Sequence, residues 1–224
     1  DVSRALAGSM GTLGLITEVS LKVLPVAPAE ATLVCKLSQH DALELLHRWG
    51  GQALPLNASA VAIDTVFVRL RGAVAAVEYA CPRMIADVQA LGGSASRMDK
   101  HQAAQYWQAC REQTLPFFQA PSPDLCLWRL SQPQTAPLHD LPYDMLIEWH
   151  GGVRWLWAPA SAAAQLRQVA DQAAGHATLF RRAQTDAKDT QVFSALPQVQ
   201  ERIQRELQKQ FDPYGVFNTA RLGI

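Results

Sequence analysis

Gly8, Gly11 and Gly14 recur at every third residue in Gly8-Ser9-Met10-Gly11-Thr12-Leu13-Gly14. Apolar residues at Leu13, Leu15, Val19, Leu21 and Val23 follow directly, closed by Pro25. This pattern predicts a glycine loop running into a β-strand. Such a loop brings backbone N–H groups close to a phosphate or a planar ring, because no Cβ stands in the way. Three other glycine motifs do not fit. The dinucleotide fingerprint G-x-G-x-x-G lies between a strand and a helix, and here the order is reversed. The Walker loop needs Gly-Lys-Ser/Thr, and the nucleophile elbow G-x-S-x-G is not matched by Ala7-Gly8-Ser9-Met10-Gly11. A plain glycine turn between a short helix and a strand stands as the alternative. A nucleotide-binding turn normally has a strand and a domain before it. Only Asp1–Ala7 precede this one, without an initiator Met, so the expectation is the C-terminal portion of a longer protein, cut inside a cofactor-binding domain.

Charged residues in apolar strand contexts are the second source of chemistry. Arg69, Arg129 and Arg154 all occupy such positions. An arginine there either faces solvent on a one-sided sheet or uses its planar fork to hold an anion. Histidines at 40, 47, 101, 139, 150 and 176 form neither H-x-H nor E-x-x-H, and no metal site is expected. His176, directly after Gly175, is either a proton acceptor or an ordinary residue at a strand start. Cysteines 35, 81, 110 and 126 stand singly, with no C-x-x-C for zinc or an iron–sulfur cluster. They read as reduced core residues, which fits a cytoplasmic location.

The positioning elements follow from periodicity and glycine stops. Asp1–Ala7 reads as the end of a helix, and 26–30 as a Pro/Ala linker at a domain boundary. Next come a strand at 31–37, a helix capped by Ser38 and ended by Gly50-Gly51, and a hairpin at 60–64 and 66–71. A helix over 73–91 follows, kinked or broken at Pro82, then Gly92-Gly93 and a strand at 94–98. This is the split β-α-β order of ferredoxin-like folds. After a helix at 100–113, a strand at 125–130 and a Pro-rich loop at 131–142, part of the module recurs. A hairpin at 145–150 and 153–158 is followed by a helix at 161–174, Gly175 and a strand at 176–181. The predicted class is α+β, a mostly antiparallel sheet with helices on one face and a duplicated ferredoxin-like unit. A polar loop at 185–195 and a helix at 196–210, striped by Val199, Ile203 and Leu207, lead into the final segment. The expected domains are 1–26, 27–195 and 196–224.

Two end motifs carry a resemblance. The glycine loop with Asp1-Val2-Ser3-Arg4 and Glu18-Val19-Ser20-Leu21-Lys22-Val23-Leu24-Pro25 resembles the end of the FAD-binding domain of vanillyl-alcohol-oxidase-type flavoproteins. Phe211-Asp212-Pro213-Tyr214-Gly215-Val216-Phe217-Asn218-Thr219-Ala220-Arg221-Leu222 resembles that family's closing F-D-P-x-G-x-F-N-P-G-R-L, with Thr219-Ala220 in place of Pro-Gly. Arg111–Phe118, Leu127–Ser131, Gly151–Leu156 and Gly175–Thr178 are similar to the FAD-binding E subunits of bacterial glycolate oxidases.

The resemblance implies that 27–195 is a cap domain and that 196–224 returns to an FAD domain. It implies FAD contacts at Gly8, Ser9, Gly11, Thr12, Gly14 and Ile16, with Asn218 near the ring, and weak or absent FAD binding by this portion alone. It implies oxidation of glycolate to glyoxylate, with electrons leaving through an iron–sulfur partner subunit, in the cytoplasm or peripherally at the inner membrane face. That reaction needs a cation for the carboxylate, a proton acceptor for the hydroxyl and a hydride acceptor. Arg129, Arg154 and His176 are the catalytic candidates, with Arg69 and Arg221 as further arginines. Related catalytic subunits carry an H-x-G-D-G-N-like motif that this chain lacks, so it could hold FAD without performing the oxidation. Another 2-hydroxy-acid oxidoreductase and a non-catalytic assembly domain remain alternatives. Trp149, Trp155 and Trp157 are expected to pack in the core or at a subunit interface.

Composition excludes other classes. Twenty Lys+Arg balance twenty Asp+Glu, so no basic excess is available to hold nucleic acid. No apolar run approaches the ~20 residues that span a bilayer.

Overall fold

The computed structural model describes residues 2–185 and 190–218 of the 224. Part of the polar stretch 185–195, and Thr219, Ala220, Arg221 and Leu222 of the closing motif, lie outside the described residues. The chain divides into two compact units, one of residues 26–190 and one drawn from 1–25 and 191–224.

In the second of these, α1 (Val2–Leu6) leads into the glycine loop. The predicted strand beyond that loop is not formed: residues 15–28 have no regular structure. Its apolar side chains are exposed, Leu15 at 80% and Val23 at 81%. A strand needs a neighbour for its backbone N–H and C=O groups, and none pairs with this segment among the described residues.

The unit of residues 26–190 is built on one sheet. Its first half runs β1 (Ala29–Lys36), α2 (Gln39–Gly50), β2 (Leu56–Ala62), β3 (Thr65–Gly72), α3 (Val74–Ala90), β4 (Ser94–Arg97). Ser38 caps α2 by accepting from the Asp41 N–H at 3.1 Å. The helix α3 runs through Pro82 without a break. Pro82 is exposed, and Val77, Ala80, Met84 and Val88 are fully buried on the opposite stripe. Four such burials, at up to about 1.5–3 kcal/mol for a large side chain, outweigh the ~3 kcal/mol cost of an interior proline. Next comes α4 (Lys100–Glu112), its N-terminus capped by Asp99, which accepts from the His101 and Gln102 N–H groups. The second half runs β5 (Leu125–Ser131), β6 (Met145–Glu148), β7 (Val153–Pro159), α5 (Ala163–Gln172), β8 (His176–Arg181). In the other unit, α6 (Gln198–Phe211) precedes the closing motif.

The eight strands form a single sheet in the order β4-β1-β3-β2-β6-β7-β5-β8, with every pair antiparallel. The first half has the ferredoxin-like order β4-β1-β3-β2, and the second repeats it from the opposite edge as β8-β5-β7-β6. The duplication expected from sequence is therefore present in the topology. The halves meet where β2 pairs with β6, matching Ala60 with Glu148, Val61 with Ile147 and Ala62 with Leu146.

Strand alternation divides the sheet into two faces. Leu33, Cys35, Val66, Val68, Trp128, Ile147 and Leu156 pack on one face with residues of α2, α3 and α5. These module helices share that face, as the sequence predicts. Helix α4 lies on the other, packing Ala103, Trp107 and Cys110 against Ala60, Leu127, Leu146 and Trp155. All four cysteines are buried and none forms a disulfide, and burial pushes Cys35 and Cys110 up to about 12. No described helix is long and apolar enough to cross a membrane.

Candidate functional site

The three strand arginines have three different surroundings. Arg69, on β3, donates from Nε to Asn57 Oδ1 at 2.6 Å and lies over the Trp107 ring at 5.0 Å. Arg154, on β7, points into the helix-covered face and is completely buried. Its Nη1 donates to the Pro137 carbonyl at 2.6 Å and its Nη2 to the Ala136 carbonyl at 2.7 Å. The Gln132 amide, turned with its oxygen toward the guanidinium, also accepts from it at 2.8 Å. Burial pushes Arg154 down to about 10. Its donors are committed to the loop between β5 and β6, which it anchors.

Arg129, on β5, is on the opposite face, which carries α4. Its guanidinium carbon lies 5.7 Å from the centre of the Trp149 ring and 5.8 Å from that of Trp155. It is half-buried, and it has no hydrogen-bond acceptor and no ion pair among the described residues. Burial lowers its pKa, and the Glu148 carboxylate opposes that shift. A guanidinium held between two indoles with its fork unused can take a carboxylate in a bidentate pair.

Glu148 ends β6 on the same face and was not among the residues singled out from sequence. Its Oε2 accepts from Trp155 Nε1 at 2.7 Å. Burial raises its pKa, and the Trp155 hydrogen bond and the Arg129 charge pull against that rise. Tyr106 and Cys110 of α4 stand close enough to sense its charge. The available signal was one carboxylate within the apolar run Met145-Leu146-Ile147-Glu148-Trp149.

Trp149 and His150 are not on the strand, where the hairpin pattern places them. They form a 3-10 turn, both with left-handed backbone at φ 53° and 56°. The turn is pinned by the His150 N–H donating to Ser59 Oγ at 2.8 Å and by Gln134 Nε2 donating to the Trp149 carbonyl at 3.2 Å. Bulky residues in this region are strained, and the hydrogen bonds that pin the turn keep the Trp149 indole, 65% exposed, beside Arg129. Trp155 is buried, and Trp157 donates to the Phe117 carbonyl. His176 is exposed at the start of β8, opposite Ser131 in register. That places it on the Arg129 face, two positions along, so the sheet sets Arg129 and His176 on one face and Arg154 on the other.

In the other unit, the two end motifs meet. The Asn218 N–H donates to the Gly11 carbonyl at 3.3 Å, and Asn218 Nδ2 to the Met10 carbonyl at 3.5 Å. A Cβ on Gly11 would stand 3.2 Å from Asn218 Nδ2. Asp212 is buried, and its carboxylate accepts from the Val216 and Phe217 N–H groups at 2.8 Å each, closing the turn that presents Asn218. Gly8 and Gly11 have φ of 83° and 75°, and the Cβ position of Gly8 is open space. The loop therefore fits a group approached by backbone alone. Thr12 is 1% exposed and its hydroxyl donates to the Ser9 carbonyl at 2.7 Å, so its side chain braces the loop from inside. Ile16 lies beyond the loop and is half-exposed. No group of three or more metal-ligating side chains occurs among the described residues.

No protein-family model matches the chain. It is 37% identical over 222 residues to the glycolate oxidase subunit GlcE of Escherichia coli (strain K12). The match covers 99% of this chain and 57% of that relative, so the chain spans little more than half the relative's length.

Proposed function

We propose that the chain is part of a flavoprotein subunit that oxidises a small 2-hydroxy acid, with glycolate as the substrate; its 37% identity to glycolate oxidase subunit GlcE over nearly its whole length supports this reading. The observation that carries this reading is Arg129, a half-buried guanidinium walled by Trp149 and Trp155 with none of its hydrogen-bonding capacity used by the described residues. Such a site suits one small carboxylate, held by the planar fork and shielded on both sides. His176, on the same face, lies at its margin.

The cofactor of this reading is FAD, which supplies a two-electron acceptor for the substrate's α-hydrogen. Gly8, Ser9, Gly11 and Gly14 would present backbone to it, Thr12 would hold the loop's shape, and Ile16 and Asn218 would border it. Residues 1–26 and 196–224 then belong with an FAD-binding domain, and 27–195 form the cap that carries the substrate residues. The exposed apolar segment beyond the loop fits this assignment, since its unpaired backbone is suited to join a sheet. Electrons would pass to an iron–sulfur partner subunit.

The test is the visible spectrum of the full-length protein, purified with its partner subunits, before and after anaerobic glycolate. A flavin band that bleaches is the expected result. A flavin that ignores glycolate and bleaches with another hydroxy acid changes the substrate, and a preparation without flavin overturns the reading. Gly11→Val, which adds a side chain at positive φ against Asn218, is expected to lower flavin content before it lowers stability.

A further inference from the structure

We propose that Glu148 is the proton acceptor of the site, taking the hydroxyl proton of a 2-hydroxy acid whose carboxylate rests on Arg129. The inference builds on the reading above and assigns its base to Glu148 in place of His176.

Three observations carry it. First, Glu148 and Arg129 lie on one face and feel each other's charge, yet they form no ion pair. Opposite charges on adjoining parts of a half-buried surface attract each other. Here Arg129 is held between Trp149 and Trp155, and Glu148 is tied to the Trp155 indole, so a gap persists. A molecule with a carboxylate at one end and a hydroxyl at the other can bridge that gap. Second, only Oε2 of Glu148 is occupied; Oε1 has no partner among the described residues. Third, the groups facing Glu148 are few: Arg129 from β5, Trp155 from β7, and Tyr106 and Cys110 from α4, both of which burial keeps protonated. Among them Glu148 is the group whose ionised form can accept a proton near neutral pH. Its pKa is raised by burial, in the direction that strengthens a carboxylate base.

The step balances within the proposed reaction. The substrate O–H bond breaks and its proton moves to Glu148 Oε1. FAD, when bound, would supply the two-electron acceptor for the hydrogen and electron pair of the broken Cα–H bond as the C–O bond becomes C=O. The product keeps its carboxylate on Arg129, and Glu148, now neutral, returns its proton to solvent.

The experiment uses the full-length protein with its partners, and two readouts. In the first, any bound flavin is chemically reduced so that no turnover occurs, and glycolate and acetate binding are followed by indole fluorescence. The expected result is that glycolate binds about tenfold tighter than acetate, the preference given by a hydrogen bond to a charged group. In Glu148→Gln that preference falls below about threefold while acetate binding is unchanged, because the amide oxygen of the substituted side chain still accepts from Trp155 and the fold is kept. In the second, kcat with glycolate falls about 10²–10⁴-fold in Glu148→Gln with KM within threefold, and the acid limb of the pH profile disappears. Glu148→Asp, which keeps a carboxylate, restores that limb. A Glu148→Gln protein that retains the glycolate preference and the acid limb overturns the assignment of Glu148 while leaving Arg129 in place. If Arg129→Met binds both acids as tightly as the parent, the underlying reading fails and the assignment fails with it.

Discussion

In the first half of the sheet, the crossover from β1 to β2 is made by α2; in the second, residues 132–144 cross from β5 to β6 without a helix. A helix satisfies its own backbone, but a loop laid over a core does not. The second half meets this need with Arg154, which donates to two carbonyls of the loop from a position where strand alternation would otherwise place an apolar residue. Leu138, Leu141 and Tyr143 of the loop supply the apolar cover. At the opposite crossover the halves agree. Gly93 stands between α3 and β4, and Gly175 between α5 and β8. A Cβ on Gly93 would lie inside 3.0 Å of the Lys36 carbonyl, at the end of β1, and one on Gly175 inside 3.0 Å of the Ser131 carbonyl, at the end of β5. The repeated glycine marks the same close approach of chain to strand in both halves. Packing therefore constrains one face in both halves and leaves the other free to diverge. In the first half that second face carries Ala58, Ala60, Ala62 and Phe67, with Arg69 bonded to Asn57; in the second it carries Arg129, Glu148 and Trp155.

The contrast is sharpest between the two arginines of the second half. Arg129→Met is expected to lower kcat/KM for glycolate about a thousandfold, within the roughly 2–5 kcal/mol or more lost when one partner of a charge pair is removed. Its melting temperature should stay close to that of the parent. Arg154→Met should do the reverse: it leaves buried carbonyls unpaired at a cost of about 3 kcal/mol, roughly 10 °C in melting temperature. Similar effects of the two variants on activity and melting would break the distinction between site and anchor.

Gly93→Ala and Gly175→Ala test the agreement between halves. Each forces a methyl against a backbone carbonyl and is expected to destabilise by about 1–3 kcal/mol. Equal losses in chemical denaturation support the repeat; a loss at only one position breaks it.

The loop anchor also predicts a pH dependence. His139 is pushed down to about 4 by burial and then by the Arg154 charge. The folded state therefore refuses a proton that the unfolded chain accepts near about pH 6.5. This stability is fully present above about pH 6.5 and lost as pH falls toward about 4, at up to about 1.4 kcal/mol per unit. Thermal scans of the parent and His139→Gln across that window should show a shallower decline in the variant.

The smallest effect is expected at Trp149. Trp149→Ala removes one wall of the Arg129 niche, a stacking contact of about 0.5–1 kcal/mol at an exposed position. Carboxylate binding should weaken a few-fold, with little change in melting temperature. A loss as large as that of Arg129→Met would mean that the indole itself contacts the ligand.

Much of the fold was legible in the sequence because its signals are local. Ser38 as a cap, the hairpins, and the glycine stops at 92–93 and 175 depend on residues a few positions apart. The segment after the glycine loop misled for the same reason. Its alternation is that of a strand, but a strand exists only when something pairs with it. Arg129 and Arg154 looked alike as charges in apolar strands. Alternation could place them on opposite faces but could not say which face was open, because that depends on where α4 and the 132–144 loop come to rest. Glu148 passed as a polar strand end. Its character comes from Trp155, Arg129 and the underside of α4, all distant in sequence or across a turn.

The α+β class, the repeated module and the likeness to a glycolate oxidase subunit were all carried by the chain itself, since periodicity, glycine placement and motif identity are properties of the order of residues. Folding in three dimensions settled which of the two arginines of the second half keeps its hydrogen-bond donors unused among the described residues, which carboxylate shares its face, and that Asn218 closes onto Gly11. Those outcomes turn on burial and on partners brought together from remote positions, and hydrogen-bonding capacity is used or left open only once the layers have packed.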